Sequence, residues 1–270
     1  MPLAIVTVIY QNYTVLADFL QSLEKQTDKN FHLFIVDLSK DRQKIDTKTI
    51  PATVLEGANL GYAHGVNVGI EKAIQEGHTQ FSVVNSDIYF AENFVAKTIA
   101  SLDKYPGSII GGKIYYASGF EYHKDRYNLD QLGKVFWYAG GSIDWNHVLV
   151  SHRGVDELDQ GQYDKFEETI FETGCLMSYD KSVFDKLGSW DKSYFLYYED
   201  ADYSVRAAKK GIKMYYDPSI VIWHKNAQST DGAGSSLHTK YQEKNRLKFA
   251  MKYAPNKTKL HFLINAFIKR

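Results

Sequence analysis

Cysteine is nearly missing from this chain: Cys175 is the only one among 270 residues. A lone thiol closes no internal disulfide and builds no multi-cysteine metal site, so nothing calls for an oxidising compartment. Surplus charge is missing as well. Lys and Arg total 32 and Asp and Glu total 32, which leaves no global field to draw in nucleic acid or an acidic membrane. No stretch approaches the roughly 20 apolar residues that cross a bilayer. The N-terminal "MPLAIVTVIYQNY" is apolar but has no basic leader and no small-residue cleavage site. It reads as a first strand, and the expected location is cytoplasmic. Internal repeats and low-complexity tracts are absent too.

What is present is ordinary in bulk, with 44% apolar and 24% charged residues, the balance of a globular domain. Aromatics are the excess: 20 Tyr, 15 Phe and 4 Trp. Most such rings belong in a core, although their apolar faces and polar edges also suit sugar rings and nucleobases.

"LAIVTVIY" (3–10) and "FHLFIVDLS" (31–39) are continuous apolar runs, the pattern of strands buried on both faces. Between them, residues 15–26 place Leu16, Phe19, Leu20 and Leu23 on one helical face. A short strand is expected at 53–57, a helix over 61–77 closed by Gly77, and a further buried strand over 80–87. This alternation predicts an α/β fold, a twisted and mostly parallel sheet flanked by helices. Its strands would end at one edge, where ligands bind, so Asp37 and Asp87 should share a crevice.

Residues 111–170 read as short strands and turns. Residues 173–191 give a strand and a short helix capped by Asp180, and 200–211 a helix closed by Gly211. Pro218 inside 213–225 marks that strand as an edge strand or two pieces. A polar, flexible stretch, "NAQSTDGAGSS", then leads into helices from about residue 237.

Several residues are candidates for chemistry. Asp87 just past a buried strand, with Asn85 two residues earlier, suits a hard divalent cation that bridges to phosphate; capping the next turn is the plain alternative. His224 ends another apolar strand and becomes a ligand only if it meets Asp87 in space. "YFLYYEDADYSVRAAKKG" (194–211) walls Glu199, Asp200 and Asp202 with aromatics. Helix-dipole stabilisation of acids at a helix start and a surface Asp202–Arg206 pair explain the acids structurally. A carboxylate desolvated against aromatic rings is equally a general base. Gly65 and Gly69 fit close helix–sheet packing, while Asn59 and Gly61 in the preceding turn are better ligand candidates. In the C-terminal helix Leu260, Leu263, Ile264 and Phe267 share a face near Lys257, Lys259, Lys269 and Arg270. That face suits an anionic membrane surface, its own domain or a second subunit in a homodimer.

Together "NLGYAHGVNVGI", "VVNSDI" and above all "TGCLMSYDKSVFDKLGSWDKSYFLYYEDADYSVRAAKKGIKMYYDPSIVIWHK" resemble a family 2 glycosyltransferase of the GT-A fold, on its rhamnosyltransferase-like branch. The resemblance spans almost the whole chain. It implies a Rossmann-like nucleotide-sugar domain over 1–225 and a helical segment over 226–270. It assigns Tyr10 and Asp37 to the donor nucleobase and ribose. Asn85 and Asp87 fall in the DxD-like position, with Asp87 and His224 as ligands of Mn2+ or Mg2+. Asp200 would be the catalytic base, and Glu199 would bind or orient the acceptor. The implied partners are a dTDP- or UDP-sugar and a glycan or lipid-linked glycan; the implied reaction inverts the anomeric carbon. Two features depart from the pattern: Asn85 replaces the usual first acid, leaving fewer anionic ligands, and "VDLSKD" replaces the commoner "VDNxS". Sugar-nucleotide pyrophosphorylases share the architecture but carry a glycine- and basic-rich loop after the first strand, where this chain reads "YQNYTVL". A protein that binds sugar nucleotide without turnover is the other rival.

Overall fold

The computed structural model describes residues 1–226 and 236–268, with side chains in the second span described over 239–264. Most of the "NAQSTDGAGSS" stretch, the Phe267 side chain, Lys269 and Arg270 lie outside the described residues. The chain opens with β1 (Leu3–Ile9), α1 (Leu16–Glu24), β2 (Phe31–Asp37), β3 (Ala52–Glu56), α2 (Tyr62–Gln75) and β4 (Gln80–Asn85). All seven residues of β1 are buried, because it runs parallel between β2 and β4 with helices on both faces. Strand alternation divides the core. Leu3, Ile5 and Ile9 pack with the Leu16, Phe19, Leu20 and Leu23 face of α1. Ala4, Val6 and Val8 pack with Ala63, Val66, Ile70 and Ala73 of α2. The glycines of α2 set that second contact. A Cβ on Gly69 would stand 2.4 Å from Val6 Cγ1, and one on Gly65 would stand 2.7 Å from Val8 Cγ1. Either methyl would overpack the layer, at about 1–3 kcal/mol.

Residues 88–110, unassigned from the sequence, form β5 (Ile88–Phe90), α3 (Phe94–Lys104) and the start of β6 (Ile109–Tyr116). There follow β7 (Phe136–Tyr138), β8 (Gly141–Asp144), β9 (Leu149–His152), β10 (Glu167–Glu168), β11 (Leu176–Asp180), α4 (Lys181–Leu187), α5 (Glu199–Lys209) and β12 (Met214–His224). The main sheet has the order β10-β12-β6-β11-β4-β1-β2-β3, with β5 on β12 and β7 on β6; β8 and β9 make a separate hairpin. The fold is therefore α/β with a mixed, mostly parallel sheet. Asp180 caps α4 as expected, its carboxylate accepting the Ser182 and Val183 amides.

β12 corrects the expectation built on Pro218. It is one strand of eleven residues, parallel to β6 along one side. Its other side pairs with β10 through Tyr215 and Tyr216 and with β5 through Ile222 to His224. Pro218 falls between those two pairings, where the register with β6 also slips between Asp217 and Val221. A residue without an amide hydrogen is tolerated at such a bulge.

The C-terminal segment forms α6 (Ser236–Tyr253) and α7 (Asn256–Ile268). α6 docks on its own domain: Phe249 and Ala250 are fully buried, and Phe249 stacks on Trp145 at 5.7 Å. α7 leaves Leu260, Leu263 and Ile264 exposed. Among the described residues no helix is long and apolar enough to cross a membrane.

Candidate active site

The short strand β5 is what completes one wall of the site. Its antiparallel pairing sets Ile88 opposite His224, and the Lys225 amide donates to the Asp87 carbonyl at 2.8 Å. The two side chains thereby meet, with His224 Nε2 3.2 Å from Asp87 Oδ1, both groups buried. The His224 ring is set by Trp137, which packs on it perpendicularly at 4.5 Å. Trp137 is itself fixed by an Nε1 hydrogen bond to Asn226 Oδ1 at 3.3 Å. Asn85, Asp87 and His224 line a cavity of about 340 Å³ together with Glu199 and Asp200.

The second wall is the start of α5. Tyr197 and Tyr198 both adopt the left-handed region, at φ 69° and 70°, an uncommon and costly state for aromatic residues. This turn sends Leu196, Tyr197 and Tyr198 into the cavity lining beside the acids. It is held from α6, where Asn245 Nδ2 donates to the Leu196 and Tyr197 carbonyls at 2.8 and 3.1 Å. Asp200 Oδ2 accepts the Gly174 amide at 2.9 Å and Oδ1 accepts the Ala201 amide at 2.8 Å. Burial raises the Asp200 pKa, and those amides oppose the rise. Glu199 is raised well above the usual carboxylate range, first by burial and then by the charge of Asp200. Its Oε2 has no hydrogen-bond partner among the described residues. Two adjacent carboxyls so placed do not share charge equally. Asp200, with two amides and the helix start, is the better placed of the two to carry charge, and Glu199 the better placed to hold a proton.

Asp202 does not belong to this cavity, and it corrects the expected surface ion pair. It is fully buried and accepts from Arg206 Nε at 2.8 Å, Lys252 Nζ at 2.6 Å and Tyr253 Oη at 2.7 Å. It ties α6 to α5.

Residues 4–188, more than half of the chain, match the family described as Glycosyl transferase family 2. The chain belongs to that family. A curated relative, the N-acetylglucosaminyl-diphospho-decaprenol L-rhamnosyltransferase of Mycobacterium tuberculosis, is 25% identical over 244 residues, covering 84% of this chain and 77% of its own. Among solved structures, GalNAc-T7 with UDP, GalNAc and Mn2+ superposes with a TM-score of 0.64 at 16% identity, over 83% of this chain and 43% of that one. The mannosyltransferase PcManGT of Pyrobaculum calidifontis, with GDP-Man and Mn2+, gives 0.52 at 13% identity over 98% and 69%. These likenesses establish the fold as that of the GT-A transferases.

In this family 2 chain, Asp87 and His224 suit a divalent cation in chemistry and spacing. Two neighbouring ligands of an octahedral ion at about 2.1 Å stand about 3 Å apart, close to the 3.2 Å between them. Among the described residues no group of three or more His, Cys, Asp or Glu side chains gathers as a ready cage, so oxygens of the donor and water would complete the shell. The other expected donor contacts lie outside the cavity lining. Asp37 is two strands from Asn85, since Ile9 pairs with Asp37 and Val8 with Asn85. It is buried and accepts the Tyr13 hydroxyl at 2.6 Å and the Ser39 amide at 2.9 Å. Tyr10 is 47% exposed just beyond β1. Asn59 Oδ1 accepts the Gly61 amide at 3.1 Å. Gly61 has a packing reason as well: at φ 101° its Cβ would fall 2.4 Å from the Phe195 carbonyl oxygen. Sequence reasoning missed Trp137, His152 and Gln242, all in the cavity lining.

Proposed function

We propose that this chain is a metal-dependent inverting glycosyltransferase that moves rhamnose from dTDP-rhamnose to a hydroxyl of a glycan or lipid-linked glycan in surface polysaccharide synthesis. One observation carries the reading: a buried Asp87–His224 pair and a hydrogen-bonded Asp200 line the same cavity. Asp87 and His224 would hold Mn2+ or Mg2+ on the donor diphosphate, with Asn85 beside them as a neutral contact. When bound, that ion offsets the negative charge developing on the leaving diphosphate. Asp200 takes the proton from the acceptor hydroxyl. The oxygen so released bonds to the anomeric carbon as the bond to the nucleoside diphosphate breaks on the opposite side, inverting configuration. Glu199, protonated, offers a hydrogen bond that orients the acceptor, and Tyr197 and Tyr198 supply its apolar wall. Tyr10 and Asp37 would take the nucleobase and ribose along the neighbouring strand ends, with Asn59 and Gly61 of the turn before α2 as further donor contacts.

The choice of rhamnose is supported by the mycobacterial relative; a UDP-hexose is the competing donor. The exposed Leu260, Leu263 and Ile264, beside Lys257 and Lys259, would rest α7 on an anionic membrane surface that presents the acceptor. The test is release of nucleoside diphosphate from dTDP-rhamnose and UDP-hexoses with Mn2+ and glycan acceptors. Release from dTDP-rhamnose that stops on chelation is expected. Donor binding without release from any of them would favour a protein that only binds sugar nucleotide.

A further inference from the structure

His152 stands in the cavity lining but has no place in the chemistry above. It ends β9, paired with Gly141 of β8. Its imidazole is enclosed by rings: Trp137 at 4.3 Å and Tyr138 at 5.2 Å, both perpendicular, and Phe171 stacked at 6.1 Å. Its Nδ1 lies 3.1 Å from the Trp137 carbonyl oxygen. A carbonyl only accepts, so Nδ1 carries the hydrogen and Nε2 keeps its lone pair. Burial also pushes the imidazole pKa down to about 4, which keeps the ring neutral near pH 7. The result is a ring-packed, neutral imidazole in the cavity lining whose one remaining acceptor is Nε2.

Its position says what enters. The Trp137 ring contacts both imidazoles, His152 at 4.3 Å and His224 at 4.5 Å. His152 is therefore one indole away from the side chain that would hold the cation on the diphosphate. The group attached next to that diphosphate is the transferred sugar. Trp137 and Phe171 offer apolar surface for its C–H face, as aromatic rings do for sugars.

We propose that His152 is a specificity-determining residue whose Nε2 accepts a hydrogen bond from one ring hydroxyl of the transferred sugar. The inference rests on the transferase reading of the cavity. A pocket built around an acceptor discriminates strongly against a ligand that lacks the matching hydroxyl, because the buried group is then left unpaired.

The experiment is calorimetric binding of donor against bare nucleoside diphosphate, both with Mn2+, so that it needs no turnover. Monodeoxy versions of the donor are scanned on the unaltered protein. Removal of one hydroxyl should weaken binding roughly 10- to 100-fold, with the others near neutral. In His152→Phe that penalty should vanish while affinity for nucleoside diphosphate stays within about twofold; His152→Gln, which restores an acceptor oxygen, should recover part of it. A flat scan on the unaltered protein overturns the proposal even if the phenylalanine variant does not fold, and so does a penalty that persists in that variant. Donor bound no tighter than nucleoside diphosphate also overturns it, whereas failure of the transferase reading would appear separately, as no nucleoside diphosphate release.

Discussion

Helix α5 turns two carboxylates toward the cavity and one toward α6, and the two sides treat the same chemistry in opposite ways. On the α6 side Asp202 is completely buried yet has Arg206, Lys252 and Tyr253 on its two oxygens. On the cavity side Asp200 has only backbone amides, and Glu199 Oε2 has no hydrogen-bond partner among the described residues. A carboxylate whose oxygens are paired with cations holds helices together. One that is desolvated and paired only with amides keeps proton affinity in reserve. Burial is common to both sides, and the partners distinguish a strut from the proposed base.

The sharpest way to break this contrast is Asp200→Asn. The amide cannot take a proton, so turnover should fall by about 10²–10⁴-fold while calorimetric affinity for donor and Mn2+ is kept. Near-normal turnover would move the base elsewhere. Asp202→Ala should do the reverse, sparing nucleotide binding but costing stability. Removing one partner of a buried ion pair costs about 3–5 kcal/mol, and the partial exposure of Lys252 and Arg206 favours about 3 kcal/mol. Urea unfolding reads this, and an unchanged midpoint would contradict it.

Glu199→Gln sharpens the comparison through pH. The folded-state pKa of Glu199 lies above its unfolded value, so its favourable contribution is complete below the unfolded value, about 4.3. It is lost as pH rises through the folded value. The variant should therefore match the parent in acid and melt progressively higher than it toward neutral and alkaline pH. A melting difference independent of pH would refute the protonated assignment. The smallest effect on the fold is expected from Leu260→Asp with Leu263→Asp on α7. Stability should change by no more than about 0.5 kcal/mol per site, whereas sedimentation with anionic vesicles should be lost. Retained sedimentation would remove α7 from the membrane contact.

Much of the first half of the chain was legible because continuous apolar runs and 3.6-residue periodicity are local signals. β1, β2, β4 and the buried face of α1 follow from them directly. Asp180, Gly77 and Gly211 were legible for the same reason, since caps act within one turn. The rest depended on partners distant in the chain. β5 is three residues long and exists because β12 pairs with it, so the Asp87–His224 encounter has no local signature. Asp202 reads as a surface residue until Lys252 and Tyr253 arrive from 50 and 51 residues away. His152 carries no motif at all, and only the rings around it give it a role.

The most direct measurement is the anomalous difference density of a crystal grown with Mn2+ and nucleoside diphosphate. The account predicts one manganese peak bonded to both Asp87 Oδ1 and His224 Nε2, with the diphosphate on it and the Asp200 carboxylate facing the open side of the cavity. A peak that touches neither side chain, or diphosphate bound away from them, would contradict it.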